Sequence, residues 1–380
     1  MKRGWYGENE SKHGGNLRRA QEKYGLTSFI DLSANVNPYG PPYGVWQAIR
    51  HNLSDITQYP DPESLLFREA LSRHTGLPVE TIMAGNGAGG LLFTIVQALK
   101  PKKVAIPLPA FSEYERACRS VGAEISYILL GAEGWTNLET LMRADSFSGE
   151  QAVEQFWRAS LQGCSLLFLC SPHNPTGSLL STYMLKQILR ITKELNCRVL
   201  CDESFLDFLP DILRKSAREF LADNAHLMIL HSLTKFYTLP GLRLGAVFAQ
   251  PSLLAEFERN RDPWSVNVLA QHAGIAALAD EEFSADARKK LQESKDLFYQ
   301  AFARCGWQNL RLWPTTVNYA LIQVFDTNAA VLTDALGQRG ILVRDCTDFA
   351  GLPGNFIRVA IKETEVMEEF LEGLKNCFHL

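Results

Sequence analysis

Ser232-Leu-Thr-Lys-Phe-Tyr-Thr-Leu-Pro-Gly-Leu-Arg-Leu-Gly245 is the stretch of this sequence that decides its fold. It places Lys235 next to hydroxyl residues and Arg243 eight positions later, after a Pro-Gly turn. A lysine that bonds covalently to an aldehyde cofactor needs this setting, because its amine must be held and a phosphate neutralised close by. Arg243 can bind phosphate through two parallel hydrogen bonds, and the hydroxyls of Ser232 and Thr234 can donate to it. The motif alone leaves a second interpretation open, a surface lysine beside a structural arginine.

The composition is that of a globular protein large enough for two domains. The chain has 380 residues, of which 46% are hydrophobic and 21% charged. The formal net charge of -4 argues against nucleic acid as the main partner, since binding a phosphate backbone needs a clustered basic surface. No apolar run approaches the ~18 residues of a membrane span, and the first sixteen residues lack the apolar core of a secretory signal.

The eight cysteines are scattered, with no CxxC motif and no paired Cys/His spacing typical of zinc. We therefore expect free thiols in a reducing cytoplasm and no metal site.

Short apolar runs alternate with helix-length amphipathic stretches between residues 80 and 250, which predicts an α/β fold with a mostly parallel sheet covered on both faces. The predicted strands are Lys103–Leu108, Leu166–Ser171, Arg198–Asp202, Leu227–Ser232 and Leu244–Ala249. The predicted helices lie near Gly90–Leu99, Phe111–Ser120, Tyr183–Leu195 and Arg214–Asp223. Ligands of such sheets bind at the carboxyl ends of the strands. Asn174, Asp202 and Lys235 fall at or just after three of these ends.

The two ends of the chain lack the alternation of apolar strands and amphipathic helices that characterises its middle. After residue 280 a long polar helix precedes shorter strands and helices, which predicts a small α+β domain. The first 45 residues are rich in Gly, Asn and Pro. We expect an arm (1–45) that packs on the small domain (266–380), with a large cofactor-binding domain (46–265) between them in sequence.

Gly85-Asn-Gly-Ala-Gly-Gly90 precedes an apolar helix and formally matches the GxGxxG pattern of dinucleotide sites. No acidic residue ends a second strand about 20 residues later, as that pattern requires. Backbone N–H groups at a helix N-terminus bind phosphate in any case. We interpret Gly87, Ala88 and Gly89 as a cradle for a cofactor phosphate; a plain glycine-rich turn is the alternative.

Three further residues suit a pyridine-ring cofactor. Phe111 could stack on the ring, although an aromatic residue in this position also suits core packing. The amide of Asn174 could donate to a phenolate oxygen, or could serve only an Asn-Pro turn. Asp202 ends an apolar strand and needs a partner, which a protonated pyridine nitrogen would provide. Capping of a helix is the alternative role for this carboxylate.

The order and spacing of Asn174, Asp202, Lys235 and Arg243 resemble those of class I/II aminotransferases, which are fold-type I enzymes dependent on pyridoxal 5'-phosphate (PLP). Within this superfamily the chain resembles the threonine-phosphate decarboxylases of cobalamin synthesis, and next to them the histidinol-phosphate aminotransferases. The likeness covers nearly the whole chain. The motifs that carry it are His13-Gly-Gly-Asn16, Ser33-Ala-Asn-Val-Asn-Pro38, Pro263-Trp-Ser-Val-Asn267, Asn318-Tyr319, Ile341-Leu-Val-Arg344 and Arg358-Val-Ala-Ile361.

The resemblance implies PLP as the cofactor, held by Lys235, and a homodimer with shared active sites. In such a dimer Tyr59 would reach the cofactor phosphate of the neighbouring subunit. Phe205 departs from the tyrosine of many aminotransferases, so Asn174 is the main candidate to bond the phenolic oxygen.

The resemblance also implies a phosphorylated amino acid as substrate. Arg358 would bind its α-carboxylate, while Arg344, helped by His13 and Asn37, would face its phosphate. An ordinary salt bridge for Arg344 and a flexible surface position for His13 are the alternatives.

The implied reaction is decarboxylation of O-phospho-L-threonine to (R)-1-amino-2-propanol O-2-phosphate. Transamination of histidinol phosphate would use the same catalytic residues, and only the arm and the small-domain motifs favour decarboxylation. A PLP-fold regulator without turnover and a NAD-binding dehydrogenase are more distant alternatives. Phosphothreonine and phosphoserine differ by one methyl group, worth ~1–3 kcal/mol, which the sequence does not resolve.

Overall fold

The computed structural model describes residues 13–144, 146–210 and 215–378. The helices bounded within these residues are α1 Leu17–Tyr24, α2 Tyr43–His51, α3 Leu65–Thr75, α4 Gly87–Leu99, α5 Ser112–Ser120, α6 Trp135–Ala144, α7 Ser146–Ser160, α8 Thr182–Glu194, α9 Pro251–Glu258, α10 Val268–Ala279, α11 Glu281–Arg304, α12 Ala329–Gln338 and α13 Thr364–Phe378. The strands are β1 Ile30–Asp31, β2 Ile82–Gly85, β3 Lys103–Leu108, β4 Glu124–Leu129, β5 Leu166–Cys170, β6 Arg198–Asp202, β7 Leu227–Ser232, β8 Gly245–Phe248, β9 Leu310–Leu312, β10 Tyr319–Val324, β11 Ile341–Leu342, β12 Arg344–Asp345 and β13 Asn355–Ala360.

The central sheet has seven strands in the order β2-β8-β7-β6-β5-β3-β4. Strands β4, β3, β5, β6 and β7 are parallel, and β8 runs antiparallel to both of its neighbours. The prediction of a mostly parallel α/β sheet is therefore confirmed. Bounds were predicted to the residue for β3, β6 and β7, because each is a continuous apolar run with clear ends.

Both faces of this sheet are buried, as its uninterrupted apolar strands require. Along β5, Leu167 and Leu169 enter one hydrophobic core, whereas Leu166 and Phe168 enter a second core on the other face. This alternation follows from the two-residue period of a strand. Burial on both faces holds the neighbouring parallel strands β5, β6 and β7 in place, and their carboxyl ends lie at the same edge of the sheet.

The helix predicted near Arg214–Asp223 is wrong from Ser216 onward. A short 3-10 helix, Ala217–Phe220, takes its place, and Arg214 itself lies outside the described residues. The Ser216 hydroxyl caps this turn, and the backbone N–H of Ala217 donates to the buried Glu203 carboxylate. These side-chain contacts compete with regular helical hydrogen bonding.

The C-terminal part of the chain forms a four-stranded antiparallel sheet in the order β12-β13-β10-β9. The motif Ile341-Leu-Val-Arg344 is divided between two sheets. Its first half, β11, pairs with β1 of the N-terminal residues, while Arg344 begins β12 and pairs with β13. The N-terminal residues thus pack on the small sheet and its helices. No helix of the described chain has the length and apolar character needed to cross a membrane.

Candidate active site

A cavity of about 320 Å³ lies where β5, β6 and β7 end, between the central sheet and the small C-terminal sheet. Twelve of the fifteen site residues predicted from the sequence line it. These are His13, Ala88, Gly89, Phe111, Asn174, Asp202, Ser232, Thr234, Lys235, Arg243, Arg344 and Arg358. The other three, Gly87, Asn37 and Tyr59, are not among its lining residues.

Lys235 follows the end of β7 and points its amine into this cavity. The pKa of Lys235 is lowered to about 8, mainly by burial and then by the nearby guanidinium groups of Arg358 and Arg243, while the Asp202 carboxylate acts in the opposite direction. Each effect has a simple cause, because burial and neighbouring positive charge both disfavour the ammonium form. A lysine with this pKa is a nucleophile near neutral pH.

Arg243 marks the anion-binding end of the cavity. In the part of the chain that the structure describes, its guanidinium has no hydrogen-bond acceptor. It lies against the N-terminus of α4, where a Cβ built on Gly87 would come within 2.7 Å of its Nη2 atom. Gly87 also has φ of +73°, a conformation that favours glycine. Gly87 therefore lets the arginine reach the free N–H groups of α4, and together they suit a phosphate.

Two hydroxyl groups border the same end. Ser232 and Thr234 are buried and hydrogen bond to each other across 2.7 Å. Each hydroxyl keeps further donor or acceptor capacity for a ligand.

Asp202 ends β6 with both carboxylate oxygens held. The Tyr114 hydroxyl donates to Oδ2 at 2.6 Å, and the backbone N–H of Ser204 donates to Oδ1 at 2.9 Å. Burial, then the Asp202 charge, raises the pKa of Tyr114 well above its usual range, so the hydroxyl remains a donor. The carboxylate is thereby fixed in place for a cationic partner, such as a protonated ring nitrogen.

Tyr114 was not predicted from the sequence. It lies three residues after Phe111, and Phe111 directly precedes α5 at the cavity wall. Residues three apart share a helix face, so this spacing could have revealed it. Tyr114 also stacks on Phe168 of β5, with ring centroids 4.8 Å apart.

Asn174 lies in the turn after β5 and is tied to the small sheet. Its amide oxygen accepts a hydrogen bond from Nη1 of Arg358. The amide NH₂ group is then the one that remains to donate, which is what a phenolate oxygen needs.

Arg344 and Arg358 are direct partners across the antiparallel pair β12 and β13. Both are buried, and the Arg344 charge contributes to lowering the pKa of Arg358, after the larger effect of burial. Besides Asn174, Arg358 donates to the carbonyl of Ser33, so both of its acceptors are neutral. Arg344 instead forms a two-pronged salt bridge with Asp348. The salt bridge left open as an alternative for Arg344 is therefore present.

Asn37 occupies a position different from the one predicted. Its amide oxygen and nitrogen bond to backbone groups of Tyr39 and Phe236, and its backbone N–H donates to the carbonyl of Lys235. These contacts shape the segment after the lysine. Asn35 lines the cavity instead, with an amide oxygen that is buried and has no partner among the described residues.

His13 lies at the first described position and closes one side of the cavity. Its Nε2 is 2.9 Å from a carboxylate oxygen of Glu113, and its ring is 5.5 Å from that of Phe111. Tyr59 lies on the surface, 78% exposed, with its ring stacked on Trp264 at 4.4 Å.

A phosphorylated pyridine aldehyde fits these residues. Arg243 offers a cation that has no acceptor among the described residues and lies beside a helix N-terminus, Asp202 offers a fixed carboxylate, and Lys235 offers an amine with a pKa of about 8. The rest of the wall supplies Phe111 for stacking and Asn174 as a donor. Within the described residues, no group of three His, Cys, Asp or Glu side chains could hold a metal ion.

Comparison with known proteins agrees with this geometry. The model of the family "Aminotransferase class I and II" matches residues 27–374. The threonine-phosphate decarboxylase of Salmonella typhimurium is 37% identical over 96% of both chains. The histidinol-phosphate aminotransferase of Symbiobacterium thermophilum is 33% identical, over 93% of this chain and 92% of its own. The crystal structure of the histidinol-phosphate aminotransferase from Clostridium acetobutylicum superposes with a TM-score of 0.81 at 23% identity, over 92% of this chain and 98% of that one. The chain therefore belongs to the class I and II aminotransferase family of PLP-dependent enzymes.

Proposed function

We propose that the protein decarboxylates O-phospho-L-threonine, releasing carbon dioxide and (R)-1-amino-2-propanol O-2-phosphate for cobalamin assembly. The observation that carries this proposal is the pair Arg344 and Arg358, which are cross-strand partners in one cavity. Like charges directly opposite each other destabilise a sheet unless something compensates them, and Asp348 compensates only Arg344, because both acceptors of Arg358 are neutral. A substrate with both a carboxylate and a phosphate supplies two anions. Similarity to the Salmonella threonine-phosphate decarboxylase supports the same assignment.

Arg358 binds the α-carboxylate of the substrate. Its contacts to Asn174 and to the Ser33 carbonyl orient the guanidinium without cancelling its charge. Arg344, His13 and Asn35 bind the phosphate at the opposite end of the substrate. Asn35 takes the role predicted for Asn37, because Asn35 is the one of the two that lines the cavity.

At the other side of the cavity, Arg243, Ser232, Thr234 and the N-terminus of α4 hold the cofactor phosphate. Asp202 holds the ring nitrogen protonated. When bound, PLP supplies an electron-accepting ring for the electron pair that remains after the carboxylate departs.

Fixing the substrate at both ends selects which bond breaks. Arg358 and Arg344 hold the two anions, so rotation about Cα is restricted and the carboxylate bond can be kept perpendicular to the ring. The ammonium form of Lys235, whose pKa is about 8, is the group that would return a proton to Cα after carbon dioxide leaves. Transamination would need the Cα–H bond in that orientation instead.

We further propose that the protein acts as a homodimer in the cytoplasm. Several large apolar side chains between residues 43 and 59 are exposed, and exposed apolar surface of this kind marks interaction sites. They include Tyr43, Trp46, Leu53, Ile56 and Tyr59. A partner subunit would cover them, and Tyr59 would then approach the partner's cofactor phosphate; sedimentation as a monomer would contradict this. All eight cysteines are free, which supports a reducing compartment.

The test is to incubate the PLP-loaded protein with O-phospho-L-threonine and measure carbon dioxide with and without 2-oxoglutarate. Release that is independent of the keto acid is the expected result. Histidinol-phosphate aminotransferase is the second candidate, because relatives with that activity are similar over nearly the whole chain. Formation of glutamate from histidinol phosphate and 2-oxoglutarate, without carbon dioxide release from phosphothreonine, would establish it and refute the decarboxylase.

A further inference from the structure

The Arg344–Asp348 salt bridge occupies the donors that the proposed substrate phosphate needs. Nη2 of Arg344 lies 2.9 and 2.8 Å from the two carboxylate oxygens of Asp348, and both residues line the cavity. A phosphate oxygen would bind the same planar N–H groups. Substrate phosphate and Asp348 therefore cannot both hold this edge of the guanidinium.

Asp348 is not needed to keep Arg344 in place. Nη1 of Arg344 donates to the backbone carbonyl of Asp345 at 2.7 Å. The guanidinium also lies over the Phe349 ring, 5.2 Å from its centroid. These two contacts would continue to orient the arginine if the carboxylate moved away or lost its charge.

The exposures of the two side chains indicate which one moves. The Arg344 side chain is 10% exposed and the Asp348 side chain 26%. The carboxylate is thus the partner closer to solvent, and it can be rehydrated at lower cost than the guanidinium.

We propose that Asp348 is a specificity-determining residue that competes with the substrate's phosphate for Arg344 and thereby sets substrate affinity. This inference rests on the proposed function for the identity of the anion. A phosphate dianion displaces the carboxylate, and Asp348 turns toward solvent. A substrate without a strong anion at this end leaves the salt bridge closed.

The direct test is Asp348→Asn in the PLP-loaded protein. The substitution keeps the shape and removes the competing charge. The expected result is a KM for O-phospho-L-threonine lower by about tenfold, corresponding to 1.4 kcal/mol, with kcat within about twofold of the wild type. Asp348→Ser, which also removes the charge, should shift KM in the same direction.

Asp345→Asn is the matched control. It removes one negative charge from a residue only three positions away, whose side chain accepts from the backbone N–H of Thr347. Its carbonyl contact to Arg344 belongs to the backbone and is retained. We expect a KM within about twofold of the wild type, since a general charge effect is screened near solvent. An equal drop in both variants would contradict direct competition.

A double variant isolates the mechanism. In an Arg344→Met background, Asp348→Asn should leave the KM unchanged, because the contested donors are gone. A KM that rises or stays constant in Asp348→Asn alone would overturn the proposal, since Asp348 would then orient the arginine or be irrelevant to it.

Binding separates this inference from the proposed function. Rapid mixing of the loaded protein with O-phospho-L-threonine, followed by the cofactor's absorbance before carbon dioxide is released, gives a dissociation constant. Tighter binding by Asp348→Asn in a protein that releases no carbon dioxide would refute the decarboxylase but support the competition. Release of carbon dioxide with unchanged binding in the variant would do the opposite.

Discussion

The pKa of Lys235 gives the sharpest test of the site, because its value follows from four named causes: burial, Arg358, Arg243 and Asp202. Burial lowers it from 10.5 to about 8, with help from the charges of Arg358 and Arg243. At pH 7.5 a lysine with a pKa of 8 is about one quarter neutral, whereas one with a pKa of 10.5 is only about 0.1% neutral. Lys235 should therefore react a few hundredfold faster with an amine reagent than an unperturbed lysine of equal access.

Reductive methylation of the cofactor-free protein measures this directly. Formaldehyde is small and neutral, so the rate at each lysine reports its neutral fraction and its accessibility. Mass spectrometry of the digest gives the rate at Lys235 and, as an exposed reference, at Lys102 across pH 6–11. We expect a midpoint near pH 8 for Lys235. Loading the protein with PLP should protect Lys235 and leave Lys102 reactive.

Two variants predict shifts of opposite sign. Arg358→Gln removes a cation that disfavours the ammonium form, so the Lys235 midpoint should rise. Asp202→Asn removes an anion that favours it, so the midpoint should fall. A midpoint near 10.5 in the wild type, or shifts of the same sign in both variants, would refute the electrostatic account of this site.

Two further substitutions test the cofactor end, each against a matched control. Gly87→Ala should weaken PLP binding at least tenfold in an absorbance titration, because a Cβ at this position would come within 2.7 Å of Arg243. Gly122→Ala is the control: this glycine has a similar φ of +74°, but there is open space around it. The control should leave PLP affinity unchanged. Tyr114→Phe should lower the free energy of unfolding in urea by about 1.5–3 kcal/mol, since it removes a hydrogen bond to a buried carboxylate. Tyr183→Phe removes an exposed bond of the same type and should cost less than about 0.5 kcal/mol; equal losses would contradict the role of burial.

The residues that we propose for the cofactor could be placed at one edge of the sheet from the sequence, because their signals are local. Asp202 and Ser232 end apolar runs that could only be buried strands, and parallel strands bring their carboxyl ends to one edge. Lys235 and Arg243 follow within eight residues on a turn marked by Pro and Gly. A residue's place in such a segment depends little on the rest of the fold.

The substrate end could not be predicted in the same way. Asn35 and Asn37 stand two residues apart in one polar run, and nothing local distinguishes them. The difference arises because the side-chain NH₂ group and the backbone N–H of Asn37 both donate to backbone carbonyls, those of Phe236 and Lys235. Likewise, the salt bridge of Arg344 to Asp348 depends on a side-chain orientation set by Phe349 and the neighbouring backbone. Such contacts are decided by tertiary packing rather than by pattern.

The contrast between the cofactor end and the substrate end of the cavity bears on how one family supports both decarboxylation and transamination. In the proposed function, Asp202, Lys235 and Arg243 serve the cofactor whichever bond at Cα breaks, so motifs built on them cannot separate decarboxylation from transamination. The choice depends on how the substrate's two anions are held relative to the ring. In this chain the holding groups come from the N-terminal segment at His13, from the run around Asn35, and from β12 and β13. On this proposal, reaction specificity depends on residues that are far apart in the sequence and meet at the cavity. Substitutions at Asp348 and Asn35 should therefore alter substrate selection more than substitutions around Lys235 do.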